Sequence, residues 1–181
     1  MSVSFTLDTN SIPSDGYSLC YYGFYNYQIV MTENFAQHES VTKCVRLTEP
    51  INFYENYNKE KVHRWPGMTN DMSSDYFVKL TGYFKAEKTG QYTFRLNITN
   101  HASLTIDDEE WISLGVMGMS FVHQNVTRTL EKGIHLLTIY YSYADLESAL
   151  HVEWRRDMGE WQTLSASSLY FGGMNKKYND E

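Results

Sequence analysis

The sequence has few cysteines, few basic residues and no long apolar segment. Its 181 residues include only Cys20 and Cys44, too few for a disulfide-rich scaffold or a four-cysteine zinc site. The 15 Lys and Arg residues against 22 Asp and Glu give a net charge of −7 without a basic cluster, which argues against a nucleic-acid partner. No apolar stretch is long enough to span a bilayer, so we expect no membrane insertion by this chain.

The N-terminal segment also lacks a charged start followed by an apolar run, so it does not have the pattern of a signal peptide. The chain is then expected to be either cytoplasmic or an expressed fragment to which Met1 was added. Two sequons, beginning at Asn97 and Asn125, would accept glycans in a secretory pathway. Cys20 and Cys44 are either two buried thiols or one disulfide, which would contribute about 3 kcal/mol in the chain-entropy model. A secreted protein favours the disulfide.

Signatures of catalysis are missing as well. The sequence has no phosphate-binding glycine loop, no Gly-x-Ser-x-Gly and no His-Glu-x-x-His. Its histidines show no metal-ligand spacing, and nothing selects a pair of carboxylates for glycoside hydrolysis among the acidic residues. We therefore expect no enzyme.

What the sequence does contain is a high aromatic fraction, 15%, arranged in period-two alternation. Alternation is typical of half-buried β-strands, and it is clearest from Tyr76 to Ala86 and from Gln91 to Leu96. Because Gly90 lies between these runs, the pattern predicts a central hairpin from Asp75 to Leu96. Further strands are predicted on both sides of a turn at Asp107 and Asp108.

Many short strands with regular turns predict an all-β fold, an antiparallel β-sandwich or barrel of about ten or more short strands. We expect residues 1–15 to form an N-terminal extension or first edge strand. Residues 16–171 are the predicted β-sandwich domain, and residues 172–181 a frayed polar tail. Residues 56–74 are predicted to be a long surface loop that contains Trp65.

Nine segments, in order, resemble one known domain family. The most specific is Asp75-Tyr-Phe-Val-Lys-Leu-Thr-Gly-Tyr-Phe-Lys-Ala86, which is similar to the family's core signature. The other segments are residues 19–22, 48–53, 89–94, 104–107, 130–133, 139–141, 148–154 and 164–171. The family is the protective-antigen N-terminal ("PA-fourteen") domain family, related to yeast flocculin and GLEYA adhesin domains. The resemblance implies a non-catalytic β-sandwich module at a cell surface or in a secreted protein.

In the adhesin branch of this family, two neighbouring Asp residues joined by a cis peptide hold a calcium ion that binds sugar hydroxyls. The resemblance places this pair at Thr99 and Asn100, with His101 at the following glycine. Because neither residue carries a charge, calcium affinity should be severely reduced. We therefore expect no metal or other cofactor, and a trans peptide bond; if calcium binds at all, Asn100 and Asp145 are the candidate ligands.

A glycan or another cell-surface partner is the binding partner that the resemblance implies. The candidate ligand-binding residues are Trp65, Asn100, His101, Trp111, Tyr143, Asp145 and Glu147. Aromatic side chains in this set would stack on sugar rings. The alternative is a module without lectin activity that has a structural or protein-binding role in a toxin, a glycosidase or a surface protein.

Overall fold

The structure is a computed structural model that describes residues 4–7, 14–23, 41–56, 65–68, 76–115, 121–143, 147–171 and 174–177. Within these ranges every regular element is a β-strand, which confirms the all-β prediction. No helix in the same ranges is long and apolar enough to cross a membrane. The strands are β1 (Ser4–Leu7), β2 (Ser14–Asp15), β3 (Tyr17–Gly23), β4 (Val41–Leu47), β5 (Asn52–Asn56), β6 (Tyr76–Ala86), β7 (Gly90–Ile98), β8 (His101–Ile106), β9 (Glu109–Gly115), β10 (Val122–Leu130), β11 (Gly133–Tyr143), β12 (Glu147–Arg156), β13 (Gln162–Thr163), β14 (Leu169–Phe171) and β15 (Met174–Lys177).

Two antiparallel sheets form a sandwich. The five-stranded sheet has the order β10-β7-β12-β13, with β5 also paired to β12. The eight-stranded sheet has the order β2-β14-β6-β11-β8-β9, with β3 between β6 and β4. From β4 to β12 the chain passes from one sheet to the other at almost every connection, and β8–β9 is the exception. A separate pair, β1 and β15, brings the two terminal segments together.

The predicted turn at Asp107 and Asp108 connects β8 to β9. Both residues have positive φ, 52° and 64°, and the two strands are paired directly. Two consecutive left-handed residues are the geometry of a two-residue hairpin turn whose twist matches that of the strands. Asp tolerates this conformation better than most residues do, so the sequence prediction is confirmed here.

The hairpin predicted from Asp75 to Leu96 is wrong. The strands β6 and β7 exist, but β6 pairs with β3, β11 and β14, whereas β7 pairs with β10 and β12. Residues 87–89 therefore cross between the sheets. The crossing lets Phe84 and Phe94 approach from opposite sheets, edge to face, with their ring centroids 5.1 Å apart. Alternation identified the buried face of each strand but carries no information about its neighbours. Asp75 itself lies outside the described residues.

The core fills the space between the two sheets. Alternate residues are buried along β8 and along most of β7, so the burial pattern of these strands repeats every two residues. The largest fully buried side chains are Trp65, Tyr17, Tyr21, Tyr92, Tyr141, Phe84, Phe94, Leu19, Ile51, Leu80, Leu96 and Ile98. Aromatic rings dominate this set, and their edge-to-face contacts add to the free energy of burial. Aromatic rings thus supply much of the core volume among the described residues.

Cys20 and Cys44 form a disulfide bond between β3 and β4. The two residues lie directly opposite each other in the antiparallel register, with their Cα atoms 4.1 Å apart. Cys44 is exposed and Cys20 half-buried, so the bond lies at the surface of the eight-stranded sheet. Of the two alternatives for these cysteines, the disulfide is the one expected of a secreted protein.

Candidate functional site

The candidate site lies at the end of the sandwich where Thr99 and Asn100 connect β7 to β8. Because β7 belongs to the five-stranded sheet and β8 to the eight-stranded sheet, this short connection crosses between them. Asn100 makes the sharp change of direction with a φ of 65°. Asn is one of the few residues other than glycine that enter this region readily. The peptide bond between Thr99 and Asn100 is trans.

The side chains of Thr99 and Asn100 are buried and bonded to Tyr141 and to the Ala149 backbone. The Ala149 N–H donates to Thr99 Oγ1 at 2.9 Å and to Tyr141 Oη at 3.2 Å. Asn100 Nδ2 donates to the same two oxygens, at 3.4 Å each. Burial raises the pKa of Tyr141 to about 12, so its hydroxyl stays neutral and can both donate and accept. We call Thr99, Asn100, Tyr141 and Ala149 the hydroxyl cluster.

Trp65 packs directly against the hydroxyl cluster. Its ring stacks on Tyr141 with centroids 4.8 Å apart, and its Nε1 donates to Ser148 Oγ at 3.0 Å. Ser148 Oγ also accepts from Tyr76 Oη at 3.5 Å. A buried indole whose N–H is hydrogen-bonded satisfies its polar group and leaves the ring to pack. Trp65 therefore packs against Tyr141, which in turn is hydrogen-bonded to the crossing.

Two of the predicted aromatic ligands, Trp65 and Trp111, are buried rather than exposed. Trp65 is 1% exposed and Trp111 is 6% exposed. The guanidinium of Arg128 covers the Trp111 ring, with Cζ 5.4 Å from its centroid, and Phe94 meets it edge-on at 5.6 Å. Neither ring offers a free face to a ligand. Asn100 is buried too, so it is not a surface contact in this conformation.

His101, which follows the cluster, is half-buried at the start of β8. It lies opposite Gly115 in the β8–β9 register. A Cβ atom at Gly115 would lie 2.1 Å from His101 Cδ2, so only glycine leaves room for the imidazole in this position. Gly115 thereby leaves the space against β9 that the ring of His101 occupies.

An exposed aromatic pair, Tyr54 and Phe121, lies at the same end of the sandwich and was missed by the sequence analysis. Tyr54 is 40% exposed and Phe121 60%, and their rings stack with centroids 6.3 Å apart. Tyr54 is opposite Ala149 of the hydroxyl cluster, and Phe121 precedes Val122, which is opposite Ile98. Because the pair joins distant parts of the chain, the only sequence signal was the alternation on either side of Tyr54.

Two further candidates, Tyr143 and Glu147, border the same end of the sandwich. Tyr143 ends β11 and Glu147 begins β12. Asp145 lies outside the described residues, as do the side chains of the other two. Their roles as ligands stay predictions. Within the described residues no three His, Cys, Asp or Glu side chains are grouped so as to hold a metal ion.

The two sequons differ in their surroundings. Asn125 is exposed on β10, the edge strand of the five-stranded sheet. Asn97 is half-buried on β7 between two neighbouring strands, and its Nδ2 donates to Glu153 Oε2 at 3.1 Å. Glu153 is also paired with Arg95 at 2.6 Å. The Asn97 side chain is therefore hydrogen-bonded within the sheet, whereas that of Asn125 faces solvent.

Comparison with known sequences decides the family. The PA14 domain profile matches residues 68–160, just over half of the chain. The chain belongs to the PA14 domain family. The matched region contains β6 to β12 and hence the Thr99–Asn100 crossing. A search of curated proteins found no match.

Solved structures of an epithelial adhesin domain and of two PA14 domains share this fold. The A domain of epithelial adhesin 6 from Candida glabrata, solved with Galb1-3GlcNAc, superposes with a TM-score of 0.70 at 16% identity, covering 97% of this chain and 98% of that one. The PA14 sugar-binding domain of an RTX adhesin superposes with a TM-score of 0.61 at 17% identity, covering 88% of this chain and 99% of that one. The PA14 domain of the MpAFP antifreeze protein superposes with a TM-score of 0.62 at 14% identity, covering 88% of this chain and 92% of that one. At such identities these likenesses establish the fold.

Proposed function

We propose that this PA14 domain is a non-catalytic carbohydrate-binding or adhesion module of a larger secreted or surface protein, and that it binds sugar without calcium. The observation that carries the proposal is the exposed Tyr54–Phe121 pair at the end of the sandwich formed by the Thr99–Asn100 crossing. The similar folds of two sugar-binding adhesin domains support the choice of ligand class.

Calcium independence rests on the chemistry of the hydroxyl cluster. A calcium site needs six to eight oxygen ligands with carboxylates among them. Thr99 and Asn100 supply no carboxylate, and Thr99 Oγ1 and Tyr141 Oη already receive the Ala149 N–H. A cation at this position would have to displace those hydrogen bonds without gaining any charge interaction from the pair.

Sugar recognition would then depend on the surface aromatics and on hydrogen bonds from the neighbouring loops. The faces of aromatic rings are electron-rich and attract the C–H groups on one side of a pyranose ring. His101, next to the cluster, can donate or accept a hydrogen bond with a sugar hydroxyl. Such a site, lacking a metal, is expected to bind weakly.

A glycan array probed with and without a chelator tests this proposal. We expect binding to specific glycans that chelation leaves unchanged, and a loss of at least tenfold in the Phe121→Ala variant. Phe171→Ala is the matched control, because Phe171 is also an exposed phenylalanine and lies on β14 of the eight-stranded sheet. An array on which the protein binds no glycan would refute the carbohydrate assignment and leave a protein-interaction module.

Calcium titration by calorimetry tests the proposal that the domain does not use calcium. We expect no micromolar binding through the Thr99–Asn100 crossing. Micromolar affinity that disappears in the Asn100→Ala variant would show that this crossing does hold calcium.

A further inference from the structure

A pocket of about 250 Å³ lies at the opposite end of the sandwich from the hydroxyl cluster. Its lining comes from the last residues of β6 and β12, the start of β7 and the segment that leads to β13. β6 begins with Tyr76, which contacts Ser148 beside the cluster, and ends ten residues later at the pocket. At about 3.3 Å per residue, the two ends are on the order of 30 Å apart. The pocket is therefore separate from the site proposed above.

One wall of the pocket is aromatic. Trp154 is half-buried, and its ring stacks on Tyr92 with centroids 6.0 Å apart and an interplanar angle of 24°. Phe84 meets the ring edge-on at 5.0 Å. Tyr92 is buried and anchored by its hydroxyl, which donates to the Lys88 carbonyl at 2.8 Å. Because Trp154 is held by these contacts, its partly exposed ring is a rigid, preformed surface.

The rim of the pocket is polar and has no net charge. Lys85 and Arg156 supply two cations, Glu87 and Glu160 supply two anions, and Gln162 adds an amide. Arg156 is paired with Asp157 at 3.4 Å. Trp154 Nε1 is buried and has no hydrogen-bond partner within the described residues.

We propose that this pocket binds one pyranose ring of a neutral sugar. A balanced rim gives no net attraction to a phosphate or to a cation, but it presents donors and acceptors together, which is what hydroxyl groups require. The aromatic wall suits the apolar C–H face of the ring. The volume is below the roughly 300–1,000 Å³ of sites for drug-sized ligands, so it selects a single ring. The domain then has two sugar sites facing opposite directions.

Protein-detected NMR titration of the full chain with a methyl hexopyranoside tests the proposal. We expect shifts at the backbone amides of Glu87, Gly159 and Gln162, with a dissociation constant on the order of 1 mM. Replacing the exposed rim residues, Glu160→Ala with Gln162→Ala, should weaken binding at least fivefold. Glu110→Ala, a change at an exposed glutamate of β9, should leave the affinity within twofold of the parent.

The outcomes separate this pocket from the site at the other end. Shifts confined to residues around Asn100 and Phe121 would overturn the pocket proposal while supporting the function proposed above. An absence of shifts throughout the titration would also overturn it. A stronger response to free glycine, as a zwitterionic probe, would exclude a neutral sugar as the ligand class. Circular dichroism and melting of the double variant confirm that its fold is intact.

Discussion

Thr99 and Tyr141 share one hydrogen-bond donor, the backbone N–H of Ala149, across the interior of the sandwich. Their hydroxyl oxygens are 3.4 Å apart, and each also receives an N–H of the Asn100 side chain. Tyr141 comes from the eight-stranded sheet and Ala149 from the five-stranded sheet. The shared donor therefore ties the two sheets together at the candidate site.

We expect Thr99→Val to lower the free energy of unfolding by about 1–3 kcal/mol. The substitution keeps the shape of the side chain but leaves the buried Ala149 N–H with only its longer bond to Tyr141. Urea denaturation measures the change. Thr105→Val, at a half-buried position of β8, is the control and should change the free energy by less than about 0.5 kcal/mol. Equal effects in the two variants would mean that the cluster contributes nothing beyond ordinary strand packing.

Loss of the Cys20–Cys44 disulfide should destabilise the protein by about 3 kcal/mol. The bond closes a segment with a sequence separation of 24, and the cost follows from the added entropy of the unfolded chain. Comparing the melting of the Cys20→Ser, Cys44→Ser double variant with that of the parent measures this loss. Alkylation under non-reducing conditions checks the bond itself. Uptake of two alkyl groups by the denatured parent would contradict it.

The ion pair of His135 and Asp107 should make stability depend on pH. His135 Nδ1 lies 2.6 Å from Asp107 Oδ2, and this hydrogen bond raises the pKa of His135 above its ordinary value. The protonated imidazole therefore stabilises the folded state fully below about pH 6.5, and the contribution is lost as pH rises through the folded-state pKa. The difference in unfolding free energy between the parent and His135→Gln should shrink with rising pH. Asp107→Asn should reduce the pH dependence of the unfolding free energy in the same way. If the difference between the parent and His135→Gln does not vary with pH, the ion pair does not have this role.

Asn125 is expected to be the better glycan acceptor if the chain is produced in a eukaryotic secretory pathway. Its side chain faces solvent on an edge strand, whereas a glycan on Asn97 would break the bond to Glu153 and crowd two neighbouring strands. Mass spectrometry of the Asn125→Gln and Asn97→Gln variants measures the occupancy of each site. Higher occupancy at Asn97 would contradict the placement of β7 inside the sheet.

The sequence predicted the features that depend on neighbouring residues. Alternation identified the strands β6, β7 and β12 and their buried faces, and the residue types at Asp107 and Asp108 predicted the turn. Which strands pair is determined by contacts between distant residues, so the predicted hairpin between β6 and β7 was wrong.

The place of the Thr99–Asn100 crossing in the fold was predictable, but the side chains around it were not. The family resemblance led to the Thr99–Asn100 crossing, which does lie at one end of the sandwich. The burial of Trp65 and the exposure of Phe121 could not be predicted, because both depend on side chains brought together from other strands. A tryptophan in an irregular segment was assigned to the surface, whereas its Nε1 found a buried acceptor in Ser148.

The repeated passage of the chain between the two sheets has a consequence for how the domain folds. Neither sheet can assemble from one continuous segment, because β6 and β7, adjacent in sequence, need partners that are synthesised later, β11 and β12. Native contacts of such long sequence separation slow the crossing of the folding barrier, and comparable β-sandwiches fold in milliseconds to seconds. On a ribosome, β6 could pair with β3 as soon as both have emerged, whereas β7 would have no partner strand until β10, and then β12, has left the exit tunnel.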